Sequence, residues 1–411
     1  MQHADPSGEE SRPDATRVAT PTTEGAATTG DEAGTIAGEG TVSARLRDGL
    51  TDGATPAWPG AVFGAWRGDQ PVRLEALGDA LRWEADAAGT SPVELPPQRR
   101  APVTTDTIFD LASITKVFTS VICQVIVDRE GIDLDTPLSR FFDAYRAPVR
   151  EDVTLRHLFT HTAGLPPVNP IFRLPADQRR PAVLASELLS RPGEAFAYSC
   201  VGFQTLGLWA EKVTGRGLAE LLAEIITGPL GLTSTGYCPT EPGSITVGGI
   251  SPDRIAATEL GVDPPRGMLR GVVHDEAAWS LDGRAGNAGI FSTTRDLGRF
   301  GRMLLGRGSL DGVQVLPERC FVEMVTPQLP EGFNPDYQHG LGVRIGATTL
   351  LGPSPTAFGH GGFTGTALAV SPEHDLVLVL LSNRVHPNRE RTGDIWRQRK
   401  AVLDAAVAAY G

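Results

Sequence analysis

At 411 residues and 40% hydrophobic content, the chain can hold one large domain or two to three ordinary ones around a sizeable core. A formal net charge of −12, a pI near 5.2 and the lack of any basic stripe exclude nucleic acid as an expected partner. Four widely separated cysteines (Cys123, Cys200, Cys238, Cys320) with no C-x-x-C pair, and no H-E-x-x-H, exclude a zinc site and a dense disulfide framework, so neither metal nor cofactor is expected.

Residues 1–40 are rich in Ala, Thr, Gly, Glu, Asp and Pro, have almost no large apolar side chains and show no periodicity, which predicts a disordered tail. No basic stretch followed by an apolar run opens the chain, so no signal peptide is expected. No run of about 18 uncharged apolar residues occurs, so no membrane partner is expected either. The resulting expectation is a cytoplasmic protein with reduced cysteines.

The folded body is expected over residues 41–411. A short helix near Val42–Leu50 leads to a strand over Pro59–Trp66, a turn at Arg67–Gln70 and extended chain over Pro71–Trp83. Ala87–Val103 reads as an Ala/Pro-rich loop. An apolar helix then follows Asp110, and residues 111–334 read as mostly helical. Within them, helices are expected from Thr154, near Val183–Ser190, and over Gly202–Thr214, Leu218–Ile226, Thr294–Leu305 and Pro317–Val325. A Pro-rich loop spans Pro166–Pro181, and the Gly/Pro-rich segment 236–285 resists assignment; loops of that length are often functional. The final part turns strand-like at Gly340–Ile345, Ala367–Val370 and Leu376–Leu381, then closes with a helix over Ile395–Tyr410. Strand regions at about 41–110 and 335–411, with helices between, predict an α+β fold: one antiparallel sheet built from both chain ends, flanked by helices, with a mostly helical insertion. No internal repeat is present.

The most informative stretch is Asp110-Leu-Ala-Ser113-Ile-Thr-Lys116. On a helix, residues three apart are neighbours, so Ser113 and Lys116 share a narrow polar face. Apolar residues recur around it at Ile114, Val117, Phe118, Val121, Ile122, Val125 and Ile126, a stripe wide enough to be covered on more than one side. The chain has 37 basic residues, but only Lys116, Lys212 and Lys400 are lysines. Arginine does not give up its proton in a protein, whereas a desolvated lysine can, so a site needing a base would retain lysine. Two further segments carry suitable chemistry. Tyr198-Ser199-Cys200 places one of five tyrosines at a loop–helix junction. Phe358-Gly-His360-Gly361-Gly362-Phe363, just before a strand, has glycines that let backbone approach a ligand, and a histidine able to offer a donor or a positive charge.

In this order and spacing the three segments resemble the signature elements of the serine β-lactamase and penicillin-binding-protein superfamily, in its class C-like branch, which includes family VIII-type esterases and D-amino-acid peptidases. Ser113/Lys116 match the Ser-x-x-Lys element, Tyr198-Ser199-Cys200 the Tyr-x-Asn element, and His360-Gly361-Gly362 the Lys/His-Thr/Ser-Gly strand. Leu158–Leu165, Val273–Glu276 and Ala288–Asp296 are also family-like, and the likeness covers about residues 45–411.

The resemblance implies that Ser113 is a nucleophile that forms an acyl-enzyme on an ester or amide. Lys116, held partly neutral by burial, and Tyr198 would be general base and acid. The backbone N–H groups of Ser113 and Phe363 would form an oxyanion hole. Cys200, His360, Gly361 and Gly362 would contact substrate, with His360 orienting a carboxylate or carbonyl. Two departures bear on specificity. Cys200 replaces an asparagine amide by a weak donor that behaves as a small hydrophobe. Gly361 lacks the usual hydroxyl. Both point to a less polar, less carboxylate-dependent substrate, hence a carboxylesterase-like hydrolase. The alternatives are a β-lactamase or D-Ala-D-Ala-type peptidase, an acyltransferase, and a non-turnover acyl-binding protein. His161, His274 and Asp275 read as structural, and Arg179–Arg180 as a solvated loop. The Gly361-Gly362 pair does not read as a phosphate cradle, because no helix follows it.

Overall fold

The computed structural model describes residues 31–51, 56–237, 251–390 and 393–411. Its main elements are α1 (Asp31–Thr51), β1 (Gly60–Arg67), β2 (Gln70–Leu81), β3 (Ala101–Pro102), α2 (Thr115–Glu130), α3 (Cys200–Thr214), α4 (Thr294–Leu305), β4 (Gln338–His339), β5 (Arg344–Ile345), β6 (Phe358–Gly361), β7 (Ala367–Ser371), β8 (Leu376–Ser382) and α5 (Ile395–Tyr410).

The eight strands form one antiparallel sheet in the order β4-β5-β6-β7-β8-β1-β2-β3. The two chain ends meet in its middle, where β1 pairs β8 from Ala61↔Ser382 to Arg67↔Leu376. Strand side chains alternate faces, and here both faces are covered. Ala61, Phe63 and Ala65 join Leu376, Leu378 and Leu380 under α1 and α5, whereas Val62 and Trp66 join Val377, Val379 and Leu381 under α4 and the helical region. That double cover explains why Leu376–Leu381 reads as an unbroken apolar run. At Gly64 a Cβ would lie 2.6 Å from both Thr294 Cγ2 and the Trp66 ring, so glycine is what lets α4 sit close to β1. The α+β architecture expected from the sequence is therefore the one observed.

Several local expectations are corrected. The first helix begins at Asp31, ahead of the boundary at 41; residues 1–30 of the expected tail lie outside the described residues. The helix anticipated near Val183–Ser190 is instead Ala176–Leu184, and it carries Pro181 in its interior. Arg179 and Arg180 sit on this helix, bonded to Ser280 O and Glu211. Of segment 236–285, residues 238–250, with Cys238, lie outside the described residues. The remainder contains a hairpin (Ala257–Val262 with Pro265–Arg270) and a short helix (Glu276–Ser280). Two register shifts break the hairpin's alternation, which hides it from a period-two reading. His360 and Gly361 lie within β6 and pair with Leu368 and Ala367 of β7.

Candidate active site

Ser113 lies in a 3-10 turn (Ala112–Ile114) that runs directly into α2. Ala112 has φ +46°, a left-handed conformation costly for a residue with a Cβ. Surrounding bonds hold it there. Asp110 Oδ1 accepts the Ala112 N–H at 2.8 Å, Thr364 Oγ1 donates to Asp110 O at 2.7 Å, and Thr366 Oγ1 donates to Leu111 O at 3.1 Å. The turn after β6 thus grips the residues before Ser113. Gly362 makes this contact possible, since a Cβ there would be 2.1 Å from Thr366 Oγ1 and 2.4 Å from Leu111 O. The neighbouring Phe363 is exposed, flanked by the His274 ring at 5.6 Å and the Arg384 guanidinium at 4.8 Å.

Lys116 is fully buried in the first turn of α2, and all residues from Thr115 to Ile126 are buried, as expected for a helix covered on several sides. An ammonium has three donors and no acceptor. Here its Nζ meets three acceptors: Ser113 Oγ at 3.0 Å, Asn287 O at 3.1 Å and Cys200 Sγ at 3.6 Å. Burial pushes the Lys116 pKa down, but Cys200, a hydrogen-bonding Tyr198 and Asp275 pull it up, and the net direction is upward. Burial thus acts on Lys116 in the direction expected from the sequence, and its neighbours act against it. Burial pushes the Cys200 thiol itself up.

Tyr198 precedes α3, whose N-cap is Ser199. The Ser199 hydroxyl accepts from Gly202 N at 3.1 Å and donates to Pro166 O at 2.6 Å, tying the helix start to the Pro166 loop. The Tyr198 ring lies 5.0 Å from Lys116 Nζ and 4.6 Å from the His161 ring. His161, read from sequence as holding a helix end, does so here while packing beside the site. Its Nδ1 accepts the Ser199 N–H at 3.0 Å, and its backbone φ is +58°.

His360 lies 5.9 Å from Tyr198, ring centre to ring centre. Its Nδ1 is 2.7 Å from Gly361 O, which can only accept, so Nδ1 carries the hydrogen and Nε2, buried without a partner, is a bare acceptor. Burial, Arg344 and Lys116 hold its pKa well below the usual histidine range. The expected donor or positive charge toward substrate is thus corrected to a neutral acceptor.

Gly361 faces the guanidinium of Arg399 on α5: a Cβ there would be 3.1 Å from Arg399 Nη1. Arg399 is buried, stacked 4.5 Å from Trp396, and pushed down to about 9 by burial and by Arg344 and Arg384. Each of these three arginines has an Nε buried without a hydrogen-bond partner.

Ser113, Lys116, Tyr198, Cys200, His360, Gly361 and Gly362 all belong to this one constellation. Asn287, His161, Asp110 and Arg399 join it without having been assigned to it from sequence. Among the described residues no cluster of three His, Cys, Asp or Glu could hold a metal ion, and no helix is long and apolar enough to cross a membrane.

Residues 43–403 match the Beta-lactamase family. The chain belongs to that family. Its fold is the one shared by serine β-lactamases and penicillin-binding proteins. A protein of Escherichia coli strain K12 named "Putative D-alanyl-D-alanine carboxypeptidase" is 30% identical over 351 residues, covering 77% of this chain and 76% of the relative. Among solved structures, a penicillin-binding-protein homologue from Caulobacter crescentus superposes with a TM-score of 0.67 at 21% identity, over 90% of this chain and 97% of the other. EstCE1, described as a hydrolase with promiscuous acyltransferase activity, gives a TM-score of 0.68 at 19% identity, over 92% of this chain and all (100%) of the other. At these identities the solved structures speak to the fold alone.

Proposed function

We propose that the protein is a serine hydrolase that cleaves an ester or amide through a Ser113 acyl-enzyme. The observation that carries this is the contact of Ser113 Oγ with a fully buried Lys116 at 3.0 Å, beside Tyr198. Ser113 Oγ attacks the carbonyl carbon while its proton passes into the Lys116–Tyr198 pair. The backbone N–H groups of Ser113 and Phe363 receive the developing oxyanion, each such donor being worth about 10²–10³ in rate. The tetrahedral intermediate collapses, the C–O or C–N bond breaks, and the pair returns the proton to the leaving group. Water then attacks the ester of Ser113 by the same route and regenerates the serine.

A second reading, a peptidase-type substrate with a free carboxylate, is favoured by Arg399. A buried guanidinium surrounded by other guanidiniums is costly until an anion joins it. The arginines therefore argue against the less carboxylate-dependent substrate inferred from Cys200 and Gly361, and the Escherichia coli relative's name fits this second reading.

Short p-nitrophenyl esters, a chromogenic cephalosporin and a D-Ala-D-Ala peptide assayed beside Ser113→Ala provide the test. Turnover should fall at least about a thousandfold in the variant; turnover that survives it sinks the proposal. For the second reading, Arg399→Gln should raise KM for the free-acid peptide and spare its methyl ester. Equal effects on both would rule out an anion subsite.

A further inference from the structure

Two consecutive residues outside the catalytic motifs hold Ser113 and Lys116 from behind. The His274 backbone N–H donates to Asp110 Oδ2 at 2.8 Å, and Asp110 in turn holds Ala112, the residue before Ser113. Asp275 Oδ2 accepts from Asn287 Nδ2 at 3.3 Å, and the Asn287 carbonyl accepts from Lys116 Nζ at 3.1 Å. A carboxylate can only accept, so the Asn287 NH₂ faces Asp275 and its Oδ1 is left buried without a partner. Asn287 is itself fully buried, so this link has little room to reorganise. The other oxygen, Asp275 Oδ1, caps the helix Glu276–Ser280 through Ala278 N at 2.7 Å.

We propose that Asp275 is a positioning residue of the catalytic site, which acts through Asn287 to hold Lys116 against Ser113 and adds a negative charge to that pair. The proposal rests on the Ser113 acyl-enzyme reading above. It is the arrangement of a nucleophile and base oriented by a third group, with an amide interposed. The groups that act on or near Lys116 are Tyr198 just before α3, Cys200 at its start, His161 before them, His360 on β6, Arg344 on β5 near the Tyr198 ring, and Asp275. Asp275 is the carboxylate in that set, and its charge favours the protonated form of Lys116.

Helix capping alone would explain one oxygen of Asp275 but not the other. Asp275→Asn separates the two roles, because asparagine is as good an N-cap, yet it removes the charge and turns a donor toward Asn287 or gives up the cap contact. Asp275→Ser keeps a cap oxygen and has no second arm. The rate of Ser113 acylation by p-nitrophenyl acetate is followed from about pH 5 to 10, with a fluorophosphonate probe and mass spectrometry to confirm the site. Both variants are expected to lower kcat between about tenfold and a hundredfold with KM changed less than about twofold. The limb of the pH–rate profile that reports Lys116 should move to lower pH in both. Wild-type kcat and an unmoved limb in either folded variant would overturn the proposal. So would a loss of rate no larger than the loss of folded protein. The exchange Asp275→Asn with Asn287→Asp, which restores a carboxylate–amide pair, is expected to recover part of the rate. Ser113→Ala run in parallel separates the two levels: if it retains turnover, the acyl-enzyme reading fails; if it is inactive and Asp275→Asn is normal, only the positioning role fails.

Discussion

At the scale of residues, small side chains decide what may approach Ser113. Gly362→Ala would drive a Cβ to within 2.4 Å of Leu111 O and push the Phe363 N–H away from Ser113. Ester turnover should fall by at least about tenfold with little change in KM, since an oxyanion donor is felt in the transition state; kcat is the number to measure. Cys200 offers Lys116 a sulfur at 3.6 Å. Cys200→Asn would supply an amide, and the ratio of amide to ester kcat/KM is expected to rise; an unchanged ratio would show that position 200 does not set this preference. Ser113, Lys116, Tyr198 and the His360-Gly361-Gly362 triplet were legible because each is a local pattern. Arg399, Asn287 and His161 were not. Asn287 reaches Lys116 across 171 positions, and nothing in its own neighbourhood marks it. The tautomer of His360 likewise depends on a carbonyl whose direction is set by strand pairing.

At the scale of elements, the starts of α2 and α3 matter most, because Ser113 and Tyr198 lie just ahead of them and Lys116 and Cys200 in their first turns. Ser199→Ala removes both the cap of α3 and the bond to Pro166 O. A loss of about 1–2 kcal/mol in unfolding free energy is expected, read from the denaturant midpoint at constant m-value. Activity should fall further than stability alone accounts for, because Tyr198 is the residue before the cap. Helix α4 was placed from sequence over its observed span, Thr294–Leu305, as its cap at Thr293 and its apolar spacing agree. The helix Ala176–Leu184 was misplaced because it carries Pro181 and lacks a capping side chain, so local signals pointed to a loop. Packing decides such a case: Val183 is fully buried, and Arg179 reaches Ser280 O.

At the scale of the whole molecule, buried neutral histidines tie stability to pH. His339 and His386 are held down to about 3 by burial, and His161 and His360 lie well below the ordinary 6.5. His386 is fixed in the neutral form, with Nε2 accepting from Arg82 N at 2.9 Å and Trp83 N at 3.1 Å. Between pH 6.5 and about 3 the unfolded chain takes protons that the folded protein refuses. Stability from these groups is therefore complete above 6.5 and lost as pH falls. From pH 6.5 to 5 the loss is about 2 kcal/mol per histidine. Asp110 and Asp296, raised by burial, oppose this in part. The urea midpoint is expected to be lower at pH 5 than at pH 7, and His386→Gln, although less stable, should show a smaller difference between the two. A midpoint that does not change between pH 7 and 5 would contradict the neutral assignment.

Sequence alone determined the sheet built from both ends and the order of the three motif segments. Alternation, helical spacing and motif spacing are properties of neighbouring residues, and they survive in any fold the chain adopts. The tertiary structure decided what surrounds Lys116. Lys116 looked like a lysine that burial would neutralise. Folding also brings Cys200, Tyr198 and Asp275 around it, and these oppose burial, because interactions between charges depend on distances that only the folded chain defines. The same holds for Gly361, which lost a hydroxyl in sequence and gained the Arg399 guanidinium in space.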